Sequence, residues 1–232
     1  MSALQPLGST QKRIIERAYE AIKHAIQTMA LAPGEALVES RLAADLQISK
    51  TPIREALVRL AQTGLVVSTP YKGYFVASLT LADTESIMNI RAVLEGLAAR
   101  QACERASSED LASIEELLVQ ARDRARDGDW AHVAEAGHAI HTAIHRLSGD
   151  ERLENMIQVL NDQFDRVRLL SAQVPGRLPH SIDEHAAIVA AVRDRDAVLA
   201  EQLMRNHLLN VLDDVRQSAK FLAEAAPEPL NH

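Results

Sequence analysis

The sequence predicts a mainly α protein, with an N-terminal winged helix-turn-helix over residues 1–78 and a C-terminal antiparallel six-helix bundle over 79–232. Three observations predict it. Apolar residues recur at helical spacing through most of the chain, alternation appears only within residues 65–77, and the charge divides near Val76-Ala77-Ser78-Leu79-Thr80. Residues 1–78 carry nine Lys and Arg against six Asp and Glu, a balance of +3, while 79–232 carry sixteen against twenty-six, a balance of −10. The whole-chain charge of −7 therefore conceals a basic part suited to a polyanion. With 232 residues and 47% hydrophobic content, the chain can bury a core without disulfides or metal. A single cysteine, Cys103, cannot form an intrachain disulfide and fits a reducing compartment. No uncharged apolar run approaches the roughly 20 residues of a membrane span. The expectation is a cytoplasmic protein with no membrane contact.

The N-terminal elements follow in order. Ile14, Ile15, Ala18, Ile22, Ala25, Ile26 and Met29 form one amphipathic stripe that Pro33-Gly34 ends. A second helix begins near Glu39 or Ser40 and carries Leu42, Ala43 and Leu46 on one face. Ser49 stands at the N-cap position of a third, where Pro52 falls in an early turn and loses no needed hydrogen bond. Ile53, Ala56, Leu57 and Leu60 are its core stripe, and Gly64 stops it. Leu65-Val66-Val67-Ser68 and Tyr74-Phe75-Val76-Ala77 then read as two strands around a turn at residues 69–73.

In a helix-turn-helix the start of the second helix enters the major groove, so donors are needed there. Ser49, Lys50, Thr51 and Arg54 occupy those positions. Arg54 suits a bidentate pair to guanine, whereas Ser49, Thr51 and the helix N-terminus suit phosphate. Lys50 suits either, and Arg41 lies close enough to help with phosphate. Lys72 and Gly73 sit at the hairpin tip, where a cation and a small residue favour close approach to the backbone or minor groove. The alternative for Arg54 is an ion pair with Glu55 or Glu39.

Beyond residue 79 short punctuation separates six helices, near 80–104, 108–127, 130–147, 151–173, 181–192 and 196–223. Eight of the nine histidines lie beyond residue 130. His207 falls on a stripe with Leu199 and Leu203, His185 lies among Ile182, Ile188 and Val192, and His141 borders Ile140, Ile144 and Leu147. Three helices thus each turn an imidazole inward. They are either satisfied core residues or ligands of one divalent ion, which would give each buried ring a partner. His145 reads as a solvated or cavity-edge residue, and the run Arg122–Asp127 as a solvated face. Arg91 can fork onto a carboxylate ligand or pair with Glu95 four residues on, and Arg166 and Arg168 are weaker candidates of the same kind.

The stretch Leu42-Ala43-Ala44-Asp45-Leu46-Gln47-Ile48-Ser49-Lys50-Thr51-Pro52-Ile53-Arg54-Glu55-Ala56-Leu57, followed by Leu60, Gly64-Leu65-Val66 and Lys72-Gly73-Tyr74-Phe75-Val76, resembles the N-terminal domain of GntR-family transcription regulators. Arg91-Ala92-Val93-Leu94-Glu95, Ile140-His141, Ser148-Gly149-Asp150, Glu184-His185 and Asn206-His207-Leu208 resemble the FCD effector domain of the FadR-type branch. Six helices is more similar to its VanR-type group. The resemblance implies that Ser49, Lys50, Thr51, Arg54 and Gly73 contact operator DNA, although Lys50 stands where arginine is usual and lacks the planar fork. It also implies that His141, His185 and His207 hold a divalent metal ion such as zinc, nickel or manganese, together with an aspartate four residues before the first histidine. That position is Gly137 here, so His138, Glu135 with more strain, water or an effector carboxylate would complete the set.

Together these imply a homodimeric repressor, not an enzyme, bound to double-stranded operator DNA and controlled by a small organic acid at Arg91 and the three histidines, with or without metal. The competing reading is a metal-dependent hydrolase with a three-histidine site. No general base announces itself near His141, His185 or His207 for that chemistry.

Overall fold

In a computed structural model the described residues are 9–78, 80–172 and 174–225, excepting the side chains of 9–12, 162, 165, 166, 169, 170 and 218–225. The chain divides into two compact units, Met1–Thr80 and Leu81–His232.

The first unit runs α1 (Ser9–Gln27), β1 (Ala36–Leu37), α2 (Glu39–Asp45), α3 (Lys50–Gln62), β2 (Val66–Thr69) and β3 (Gly73–Val76). Its antiparallel sheet has the order β1-β3-β2, with Val66 opposite Val76 and Thr69 opposite Gly73. Two residues are too few to show a period, so β1 is a strand the sequence did not announce. Ala18, Ile22 and Ile26 of α1 pack on Ile53, Ala56, Leu57 and Leu60 of α3 and on Leu65 and Val76 of the wing. Gly64 takes φ +75° just past the α3 C-cap, which a glycine supplies without strain and which lets the chain turn straight into β2. Met29, assigned to the first stripe, instead lies beyond α1 and is exposed.

The second unit is the expected six-helix bundle: α4 (Leu81–Arg105), α5 (Ser108–Arg126), α6 (Trp130–Leu147), α7 (Glu151–Ala172), α8 (Arg177–Arg193) and α9 (Ala197–Ala225). Ser107 and Asp110 close a reciprocal capping box that starts α5. Its core is built from Ala99, Ala102, Ile140, Ile144, Ile188, Val192, Ala200 and Met204.

Two assignments shift. α8 begins at Arg177, not near Ser181, because Pro179 sits in its first turn, where backbone N–H groups have no intrahelical acceptor to lose. The buried stripe of α9 runs through Ala200, Met204, His207, Leu208 and Val211, while Leu199 is exposed. His207 still faces inward, but the face is rotated from the Leu199–Leu203 line.

Leu57 is fully buried at the centre of the first core. Leu57→Ala is expected to destabilise the DNA-binding unit by about 2–5 kcal/mol through lost burial and a cavity. Chemical denaturation followed by circular dichroism measures it, with the bundle transition unchanged.

Candidate functional site

Ser49 caps α3 by position, but its hydroxyl makes no capping bond. Ser49, Lys50, Thr51 and Arg54 are exposed, while Pro52 and Ile53 between them are buried, so the core stripe turns the donors outward. Arg54 grips Glu39, donating from Nε and Nη2 to the two carboxylate oxygens at 3.0 and 2.8 Å. Of the alternatives posed for Arg54, the Glu39 pair forms. Exposed ion pairs are weak, so a guanine edge can compete for the same fork. Arg41 is exposed and lies 3.4 Å from Glu35 and 3.8 Å from Asp45. Lys72 and Gly73 are exposed at the wing tip, where Gly73 adopts φ +97°.

The bundle brings the three histidines together. His141 Nε2 of α6 lies 3.0 Å from His185 Nε2 of α8 and 3.2 Å from His207 Nε2 of α9. Carboxylates hold the far side of two rings. His141 Nδ1 donates to Glu95 at 2.6 Å, and His207 Nδ1 donates to Glu184 at 2.7 Å. Burial alone would raise both carboxyls. For Glu95, the charges of Arg91, His141 and His145 outweigh burial and hold it well below the usual range. Glu184 falls to about 2, because hydrogen bonds from His207 and Arg177 prevail.

An ionised carboxylate only accepts, so each of those two Nδ1 atoms must carry the proton. His141 and His207 consequently aim bare Nε2 lone pairs at one another, and His185 can contribute a proton to only one such contact. Burial lowers the pKa of all three rings, that of His207 to about 4, so extra protons are not the remedy. A cation is. Nitrogens about 2.0–2.1 Å from a tetrahedral zinc stand roughly 3.3 Å apart, close to the spacings found here. The donor set and its carboxylate second layer thus fit a divalent metal.

Gly137 faces this centre. A Cβ there would lie 2.9 Å from His185 Cε1, so the place of the implied aspartate is taken by the imidazole. His138 lines the adjoining cavity, but the ligand atoms that converge are those of His141, His185 and His207. Among the described residues the ring nitrogens of His138 do not join that converging group.

Sequence reasoning missed several participants. His145 is buried, not solvated, and donates from Nε2 to Glu95 at 2.8 Å. Arg177 is also buried. It ion-pairs with Glu184, reaches Asp214 at 3.3 Å and lies 3.2 Å from His207 Nδ1. Its signal was hidden by the later start assigned to α8. Arg91 does pair with Glu95, donates to Asn161, stacks 3.9 Å from the Phe164 ring and leaves its Nε without a hydrogen-bond partner among the described residues. Arg91, Phe164, Arg168, Arg177 and the three histidines line one cavity of about 60 Å3, room for a handful of waters or a small acid. The side chain of Arg166 lies outside the described residues.

A winged helix-turn-helix with exposed donors, joined to a bundle enclosing a cavity into which arginines and histidines project, defines a DNA-binding transcription regulator. Residues 14–76 match the bacterial regulatory proteins of the gntR family, and 86–210 match the FCD domain. The chain belongs to the GntR family, in its FCD-bearing branch. It is 32% identical over 232 residues to an HTH-type transcriptional regulator in an unstable DNA locus of Streptomyces ambofaciens, covering 97% of this chain and 96% of that one. The HTH-type transcriptional repressor RspR of Escherichia coli is 25% identical over 217 residues, covering 94% and 95%. E. coli McbR/YncC matches in structure with a TM-score of 0.74 and 25% identity over 89% of this chain and 98% of that one. These relatives are regulators and not enzymes, which leaves the hydrolase reading without support. Among the described residues no helix is long and apolar enough to cross a membrane.

The neutral buried histidines carry a pH signature. Their folded pKa values lie below the ordinary 6.5, that of His207 at about 4, so below about pH 6.5 the unfolded chain binds protons that the folded chain refuses. Stability is complete above that pH and falls as pH drops below it, by up to about 1.4 kcal/mol per pH unit for each ring. Metal-free protein should show a melting temperature that declines from pH 7 to pH 5, with a shallower decline in His185→Gln.

Proposed function

We propose that the chain is a homodimeric, cytoplasmic repressor whose operator affinity is set by a small organic acid bound in the bundle at a divalent metal ion. One observation carries the reading: the Nε2 lone pairs of His141 and His207 face each other at 3.2 Å with both Nδ1 protons already committed to carboxylates. His141, His185 and His207 would hold zinc, nickel or manganese, with a coordination position on the cavity side left to the effector. The ion would supply a Lewis-acidic positive charge that a carboxylate completes. Arg91 and Arg177 orient that carboxylate from the cavity wall, and Arg168 lies at the same wall. Among the described residues Arg91 Nε has no hydrogen-bond partner, so it is the donor assigned to the effector.

Ser49, Lys50, Thr51, Arg54, Lys72 and Gly73 contact operator DNA in this reading, with Arg41 assisting on phosphate. Two copies are needed because one recognition helix reads only a few base pairs. Ile90, Val93 and Leu97 leave an apolar stripe exposed on α4 that a second copy would cover. Repression agrees with the role of RspR, the E. coli transcriptional repressor. The effector acts by preferring one of two states that differ in operator affinity, and shifts them only by its differential affinity.

Zinc, nickel or manganese chloride is expected to raise the bundle's melting temperature by several degrees, with reversal by chelator and no effect in His141→Ala. A shift of equal size in that variant would overturn the metal reading. In gel shifts on a duplex selected from a random pool by the wild-type protein, Arg54→Ala should lose about tenfold or more in affinity while His207→Ala binds normally. Unchanged binding by Arg54→Ala would sink the assignment of that residue.

A further inference from the structure

The wing carries an aromatic residue that the fold does not use. Tyr71 is 108% exposed, beyond even the reference for an open chain, so its ring is covered by none of the described residues. It occupies the third position of the turn Thr69-Pro70-Tyr71-Lys72, closed by a hydrogen bond from Lys72 N to Thr69 O at 3.1 Å. Tyr71 has φ +63°. Proline second and a positive φ third is the type II pattern, in which the third place belongs to glycine because a side chain there is strained. Tyrosine at this place therefore costs stability twice, through backbone strain and through a ring held in water. Neither cost is recovered inside the unit. The neighbouring residues are Lys72, exposed, and Gly73, whose position has open space around it.

We propose that Tyr71 is a DNA-contact residue of the wing, its ring packing along the sugar wall of the minor groove while its hydroxyl donates to a phosphate oxygen. A tyrosine suits that boundary, since its face is apolar and its tip polar. The turn supplies the rest. Positive φ at residue 71 projects the ring outward from the hairpin end, and the Thr69–Gly73 pair anchors the tip to β2 and β3. The contact reads groove width and not base identity, because a ring on sugar makes no base-edge hydrogen bond.

The test uses the full-length protein and a duplex selected from a random pool by the wild type. Tyr71→Gly relieves the strained turn, so its melting temperature is expected to stay level or rise by a few degrees while affinity for the duplex falls about tenfold. Tyr71→Phe keeps the ring and should bind within about threefold of wild type. Replacing A·T pairs flanking the selected half-sites with G·C, which widens and alters the minor groove, should weaken wild type more than Tyr71→Gly. Affinity of Tyr71→Gly within twofold of wild type would overturn the proposal. An equal loss on unselected duplex would overturn the reading of groove width.

Discussion

The bundle depends on one buried charge. The Glu95 carboxylate is wholly enclosed and would be forbidden there alone, yet it accepts from Arg91, His141 and His145. Removing one partner of such a buried pair leaves the other uncompensated, a loss of about 3–5 kcal/mol. The charge therefore fixes the relative placement of α4, which carries Arg91 and Glu95, and α6, which carries both histidines. Through Arg91 it also reaches Asn161 and Phe164 on α7. Glu184 repeats the device on the other side, taking hydrogen bonds from Arg177, His207 and Asn210 and joining α8 to α9. Two anions held by cations and imidazoles orient the rings whose free nitrogens converge between them.

The DNA-binding unit follows the opposite policy. Its ionic contacts are at the surface, and its interior is apolar from Ala18 to Val76. Arg54 rests on Glu39 in water, where an ion pair holds a side chain in place without committing it. Buried ion pairs make the bundle a rigid frame, and exposed ones leave the reading head ready to exchange partners.

Much of this was legible in the chain. Period, caps and glycine stops revealed α1 to α3, the wing and six bundle helices, because each of those signals is local. The inward direction of His141, His185 and His207 could be read from neighbouring apolar residues, but their convergence depends on how three helices pack. Spacing of i, i+4 suggested the Arg91–Glu95 pair and could not show that Glu95 serves His141 and His145 as well, since those partners lie 46 and 50 residues away. Arg177 was hidden by a proline that ordinarily signals a boundary, and β1 by its length of two residues. The role of Glu184 was invisible because charged residues on a helix usually face solvent.

Gly137 shows how narrow the routes of change are at such a centre. With His185 Cε1 2.9 Å from where a Cβ would stand, an acidic residue cannot arrive at position 137 while the imidazole stays put. The two positions are bound in epistasis: a carboxylate is admissible only after, or together with, a displacement of α8 or a different rotamer at residue 185. A change at position 137 and the placement of the residue 185 ring therefore go together.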